Sequence, residues 1–313
     1  MALKSTTLQV PSDGFGKEIV NETALFNQVK QQRWWYVNGL PYISSQTDFE
    51  SSMPKLATKY NDEFCWATFY DPAFVAQLMY QGFLPMAAAS GDLEVITPKL
   101  HLNRSIVKFA NVPKPHGSTF KKSKKFEFSA DTCFDRVAAG IVDQHGPSWF
   151  YPNLVKLFTL MNSQGERGFL NSKVRVHSFE VWQGDELVAG EAGYSVGKVY
   201  TSLSGFTTVD GAGTVQMYAM ASHLKQLGFV LWDLGMQLGY KDQEFGAIPL
   251  PRVEFLQLLA KFRDDPIDSP VKLVERRNAK DFLALLRSDH EGDDVQMKLA
   301  TVQSSPASSS ATA

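Results

Sequence analysis

Residues 178–206 read SFEVWQGDELVAGEAGYSVGKVYTSLSGF, and the chain continues through VQMYAMASHLKQLG (215–228) into FVLWD (229–233). Phe179-Glu180-Val181-Trp182 and Glu186-Leu187-Val188-Ala189 flank a Gln183-Gly184-Asp185 turn, and a third apolar run ends at Tyr200. Short alternating runs with glycine punctuation predict antiparallel strands over about 178–182, 186–192 and 198–202. Val215, Met217, Tyr218, Met220, Ala221 and Leu224 then recur at helical spacing as far as Gly228, a residue suited to the position just past a helix. The pattern predicts a helix over 214–227 and a strand over 229–233, a βαβ-like unit within a mixed sheet. Asp233 ends that wholly apolar strand. A carboxylate there must be hydrogen-bonded, paired or exposed in a cleft, because burying it alone is costly or forces its pKa upward.

Working outward, residues 1–20 are polar and contain glycine, which predicts a flexible N-terminus. Residues 21–93 hold Trp34-Trp35-Tyr36, Phe64-Cys65-Trp66 and a helical pattern from Pro72 to Tyr80, with Asp71 as N-cap, Pro72 at the first position and Gly82 past its end. They are expected to form a small N-terminal α+β domain. Residues 94–290 alternate strands and helices without a long linker, and the Ser/Ala-rich tail over 291–313 is expected to be disordered.

With 313 residues, 44% hydrophobic and 12% aromatic, the chain can bury one large core or two modest ones. No window approaches the roughly 20 apolar residues that span a bilayer, so no membrane partner is expected. Cys65 and Cys133 have neither the number nor the spacing of a zinc site or disulfide framework, which points to two buried thiols in a reducing compartment. The start MALKSTTLQVPSDGFGKE lacks the apolar core of a secretory signal, making the cytoplasm the default. The net charge of −2 conceals one uneven block: Arg104, Lys108, Lys114, His116, Lys121, Lys122, Lys124 and Lys125, with no acid among them. Such a block is either a solvated loop or a phosphate-binding surface.

Leu78-Met79-Tyr80-Gln81-Gly82-Phe83-Leu84-Pro85, Pro98-Lys99, Arg104-Ser105, Trp149, HSFEVW (177–182), Glu186-Leu187-Val188, Gly193, Ser204, Phe206, Asp233 and Gly246-Ala247-Ile248-Pro249 with Arg252 follow in an order and spacing that resembles the leucyl/phenylalanyl-tRNA-protein transferase family. The resemblance implies an α+β architecture: a GNAT-like acyltransferase domain with a mixed sheet and flanking helices, packed on the small N-terminal domain. It implies transfer of an aminoacyl group from aminoacyl-tRNA to the N-terminal α-amino group of a protein, marking that protein for degradation, with no cofactor, no metal and no DNA partner. Alternatives are a non-catalytic relative that binds RNA or protein, and a transferase using another aminoacyl donor.

An aminoacyl ester is already activated, so the chemistry calls for placing the amine, moving its proton and stabilising an oxyanion. By resemblance the catalytic residues are Asp233 and Gln237. The family's glutamine follows its aspartate two residues on, whereas Leu234-Gly235-Met236 intervene here. The aminoacyl pocket and tRNA 3′ end map to Trp149, Glu191, Tyr200, Leu203, Ser204, Gly205, Met220 and Trp232, and tRNA binding to Arg104, Lys108, Lys114, Lys121, Lys122, Lys124 and Lys125. Where the family has a phenylalanine, glutamate and methionine in this pocket, the chain has Tyr200, Leu203 and Gly205, and where it has a wall methionine the chain has Glu191. A carboxylate at 191 either bars apolar side chains or supplies the ammonium contact that Leu203 cannot. Gly211-Ala212-Gly213 before the helix is either a flexible turn or an anion-facing terminus.

Overall fold

The protein is described from a computed structural model covering residues 22–268 and 274–288. The expected flexible N-terminus (1–20) and the tail (291–313) lie outside the described residues. In chain order the elements are α1 (Glu22–Gln31), α2 (Phe49–Thr58), α3 (Pro72–Tyr80), β1 (Ala87–Ser90), β2 (Leu93–Ile96), β3 (Asn103–Lys108), α4 (Gly117–Ser123), β4 (Glu127–Ala130), α5 (Phe134–His145) and α6 (Pro152–Ser163). Then follow β5 (Val174–Gln183), β6 (Glu186–Val196), β7 (Val199–Thr207), α7 (Ala212–Gln226), β8 (Leu231–Asp233), α8 (Gly239–Phe245), β9 (Ile248–Pro251), α9 (Arg252–Phe262), β10 (Val274–Asn278) and a last helix, α10, over 279–288.

The class is α+β, built on a mixed eight-stranded sheet in the order β10-β4-β5-β6-β7-β8-β3-β9. β5, β6 and β7 are antiparallel neighbours, and β7 pairs in parallel with β8 across the α7 connection, as the sequence pattern predicts. The three strands run longer than their apolar cores suggest, because glycines and small polar residues continue the ladder: β7 carries on past Tyr200 to Thr207. Asp71 caps α3 by accepting the Phe74 N–H at 2.9 Å, and Gly228 takes φ +84° after α7.

Helices cover both faces of the sheet. On one, Tyr218, Met220 and Leu224 of α7 and Phe282 of α10 pack with Phe128, Phe179, Val181 and Trp232. On the other, α3, α5, α6 and α9 supply Val75, Val137, Phe158 and Phe255 against Val176, Tyr194 and Leu231, and the same apolar cluster continues to Leu25 and Trp66. Arg252, 3% exposed at the start of α9, ties these regions together by donating to the carbonyls of Leu56, Tyr60, Asp62, Leu100 and His101.

The HSFEVW segment holds a polar net in this interior. Glu180 accepts from the hydroxyls of Ser129, Ser178 and Thr132, yet burial still pushes its pKa up. His177 Nδ1 lies 3.0 Å from Asp131 and Nε2 lies 2.9 Å from Ser195 Oγ, an arrangement that chain order could not reveal. None of the three lines a cavity described below, so this net braces the sheet. Cys65 is buried as expected, whereas Cys133 is only half-buried, a correction that follows from its place at the start of α5.

Candidate active site

A cavity of about 830 Å³ opens between the β6–β7 ladder, the first turns of α7 and the segment after β8. Its position depends on a β-bulge. Ala192 pairs with Ser204 and Gly193 with Ser202, leaving Leu203 as the extra residue, which re-aims the end of β7 toward the cavity. Gly193 is required on this ladder: a Cβ there would lie 2.1 Å from the Tyr200 hydroxyl, which crosses the bare backbone to reach Glu191.

The floor is polar and buried. Tyr200 Oη donates to Glu191 Oε1 at 2.9 Å, and Ser202 Oγ meets the same oxygen at 2.6 Å. Trp232 Nε1–H donates to Ser202 Oγ at 2.8 Å; indole is a donor only, so the serine hydrogen turns to Glu191. Burial, reinforced by Glu191, holds the Tyr200 hydroxyl far above its ordinary pKa, so it keeps its proton. Gln216 of α7 completes the floor, while Leu84, Met86, Leu203, Met217 and Leu234 form apolar walls.

At the rim, Glu63 gathers Lys99 at 3.3 Å, His101 Nδ1 at 3.2 Å and the Leu102 N–H at 2.8 Å. Burial, with Arg104 and Lys99 nearby, pushes His101 down to about 4, leaving it neutral at neutral pH. Across the opening, His145 Nε2 lies 2.8 Å from the Gly205 carbonyl, and Gln144 accepts the Thr207 N–H at 2.8 Å. Gln144 and Phe206 are shared with a second cavity of about 540 Å³ beside α5. Among the described residues, no three His, Cys, Asp or Glu side chains gather as a metal-ligand set.

Of the residues expected in the pocket, Trp149, Glu191, Leu203, Ser204 and Gly205 line the cavity. Tyr200, Met220 and Trp232 do not; each is fully buried behind the floor, where Tyr200 and Trp232 act by orienting Glu191 and Ser202. Trp149 is stacked on Phe150 with centroids 4.6 Å apart. Asp233 is also fully buried and off the lining: Oδ2 meets Arg104 Nη1 at 2.5 Å and Thr201 Oγ1 at 3.2 Å, and Oδ1 accepts the Gly235 N–H at 2.9 Å. Direct proton transfer from a bound amine to Asp233 is therefore corrected to support of the Leu234–Met236 wall. Gln237 is exposed and lies between Met236 and Leu238, which line the cavity.

Arg104 is likewise corrected. It is fully buried, its Nη2 donates to the Gly82 carbonyl at 2.5 Å, and no phosphate can reach it. Lys108, Lys114, Lys121, Lys124 and Lys125 are exposed, and the block contains the short helix α4 instead of a continuous loop. Lys122 bonds Asp210 at 2.6 Å beside Gly211, which brings α4 to the cavity mouth. Lys99, His101, Gln144, His145 and Gln216 were not foreseen from the sequence. Only Gln216 carried a signal, as a lone amide within the apolar run of α7.

A family profile described as leucyl/phenylalanyl-tRNA protein transferase matches residues 99–260, just over half of the chain and nearly all of the cavity lining. The chain belongs to this family. Its members are aminoacyltransferases. Among curated relatives, the leucyl/phenylalanyl-tRNA–protein transferase of Nitrosomonas eutropha is 28% identical over 52% of this chain and 68% of its own length. Those of Shewanella pealeana and Roseobacter denitrificans are 27% and 26% identical, over 54% and 66% of this chain and 64% and 96% of theirs. A solved structure, a conserved protein of unknown function from Bacteroides thetaiotaomicron, overlaps 75% of this chain and 77% of its own at 11% identity and a TM-score of 0.32, which defines no shared fold.

Proposed function

We propose that this family member transfers an aminoacyl group from aminoacyl-tRNA to the α-amino group at a protein's N-terminus. The observation that carries the reading is the cavity within the matched segment, whose volume of about 830 Å³ falls in the range of small-molecule sites. The exposed lysines around α4 meet the acceptor-stem phosphates, and Trp149 offers a face to the terminal adenine. Gly213 and Thr214, in the first turn of α7, put backbone N–H groups near the opening, where the ester oxyanion develops.

Asp233 acts as a positioning residue: it holds Gly235, and through it the wall beside the reacting ester, while Gln237 at the edge of that wall is the polar group left to relay the amine proton. The antiparallel β5-β6-β7 run followed by α7 and a parallel β8 supports a GNAT-like domain over 94–290 with the small domain over 21–93 packed on it. By family likeness the donor is of the leucyl or phenylalanyl type and the product is marked for degradation. Charged tRNA is cytoplasmic, and no helix among the described residues is long and apolar enough to cross a membrane. The test is transfer of labelled amino acids from a total charged tRNA pool to peptides differing only at the N-terminal residue. Transfer dependent on a free α-amino group is expected, and no transfer to any peptide overturns the reading.

A further inference from the structure

The cavity floor is charged where an apolar side chain would meet hydrocarbon. Glu191, Ser202 and Gln216 all line the cavity, yet are 5%, 7% and 4% exposed, so the carboxylate sits in a recess. The Tyr200 and Ser202 hydroxyls both turn their hydrogens to Oε1, at 2.9 and 2.6 Å. Two donors on one oxygen suit an ionised carboxylate, an acceptor with room for about four hydrogen bonds in all. In a recess, a negative charge attracts a cation more strongly than on open surface. The positive side chains nearest the lining are engaged elsewhere: Lys99 with Glu63 at 3.3 Å and Lys122 with Asp210 at 2.6 Å.

We propose that Glu191, flanked by Ser202 and Gln216, forms a subsite for a cationic nitrogen of the donor's aminoacyl group. The inference rests on the transferase reading and adds the chemistry its substrate must present. The nitrogen has two sources: the α-ammonium that every aminoacyl ester carries, or the side-chain ammonium of a basic amino acid. Either gives charge-assisted N–H···O bonds to Glu191, and Leu84, Leu203 and Met217 then cover the hydrocarbon stem.

The test is calorimetric titration of the full chain with four stable 3′-aminoacylamido-adenosines, in two pairs. Leucyl against 4-methylpentanoyl differs only in the α-ammonium, and lysyl against norleucyl only in the side-chain ammonium. If the α-ammonium occupies the subsite, the leucyl compound binds roughly 10- to 100-fold tighter than its partner. If the side chain does, the lysyl compound shows that margin over norleucyl. In either case Glu191→Gln, which keeps shape and acceptor capacity, reduces the margin to within about threefold. Wild-type protein that discriminates in neither pair overturns the subsite without depending on the folding of any variant, and so does a margin that survives in Glu191→Gln. If that wild-type protein also transfers nothing from charged tRNA, the transferase reading falls with it; if it transfers, that reading stands alone.

Discussion

Asp233→Asn tests whether the aspartate serves the core or the substrate. Arg104 and Asp233 are both fully buried and 2.5 Å apart, with the guanidinium also bonded to the Gly82 carbonyl and lying 4.6 Å over the Phe255 ring. Asparagine keeps the size of the side chain but removes the charge, and arginine cannot shed its proton to compensate. Removing one partner of a buried ion pair costs about 3–5 kcal/mol, because the other is left as an uncompensated charge. Against a total stability of about 5–15 kcal/mol, that should lower the urea midpoint markedly while leaving a folded population in buffer. Replacing both partners with apolar residues, Arg104→Met with Asp233→Leu, should recover most of the loss, since well-packed isosteres of a buried pair are often neutral or stabilising. The assay is urea unfolding followed by tryptophan fluorescence, with the transfer rate measured on the same samples. A midpoint unchanged in Asp233→Asn, together with abolished transfer, would refute the reasoning and return Asp233 to direct contact with substrate.

Changing Lys114, Lys121, Lys124 and Lys125 to alanine should leave the melting temperature in place and flatten the salt dependence of tRNA binding, by roughly 0.7–0.9 in log–log slope for each phosphate no longer neutralised; an unaltered slope would mark a plain solvated surface. His101 and His223 are both pushed down to about 4 by burial, so below pH about 6.5 the unfolded chain takes up protons that the folded one refuses. Their contribution is complete above pH about 6.5 and should fall by roughly 3 kcal/mol each as the pH approaches about 4, and His223→Leu should remove about half of that loss in denaturant titrations. Arg252→Lys offers one nitrogen to five carbonyls and should cost about 3 kcal/mol or more in the same unfolding assay, whereas an unchanged midpoint would show those bonds to be replaceable. Gly193→Ala must displace the Tyr200 ring from Glu191, and a fall in both stability and donor affinity is the expected outcome.

The order of β5, β6, β7, α7 and β8 was legible because the apolar period changes from two to helical and back between Ser178 and Asp233, with glycine at each change. The cavity was legible only along that same stretch. Glu191 stood out as a carboxylate in an apolar strand, but Tyr200, Met220 and Trp232 were assigned to the lining when they sit one layer behind it. A residue's distance from a surface depends on the layer packed against it, which α7 supplies and no local pattern records. Arg104 was grouped with the lysines by charge and proximity in sequence. Its pairing with Asp233 spans 129 positions and could not be read from spacing. His101 and Lys99 were missed for the same reason, since Glu63, which brings them to the rim, lies well outside the decisive stretch.

The guanidinium of Arg252 bears on how this enzyme can be cut. The segment shared with the family begins at residue 99, yet three of the five carbonyls that Arg252 engages belong to Leu56, Tyr60 and Asp62, which precede it. A fragment limited to the shared segment would carry a stranded cation where the intact chain has a filled cradle, and would bare the Val75 and Phe83 side of the core as well. The boundary of recognisable ancestry is thus not a boundary of cooperative folding, and a transplanted catalytic half would have to bring its N-terminal neighbour along.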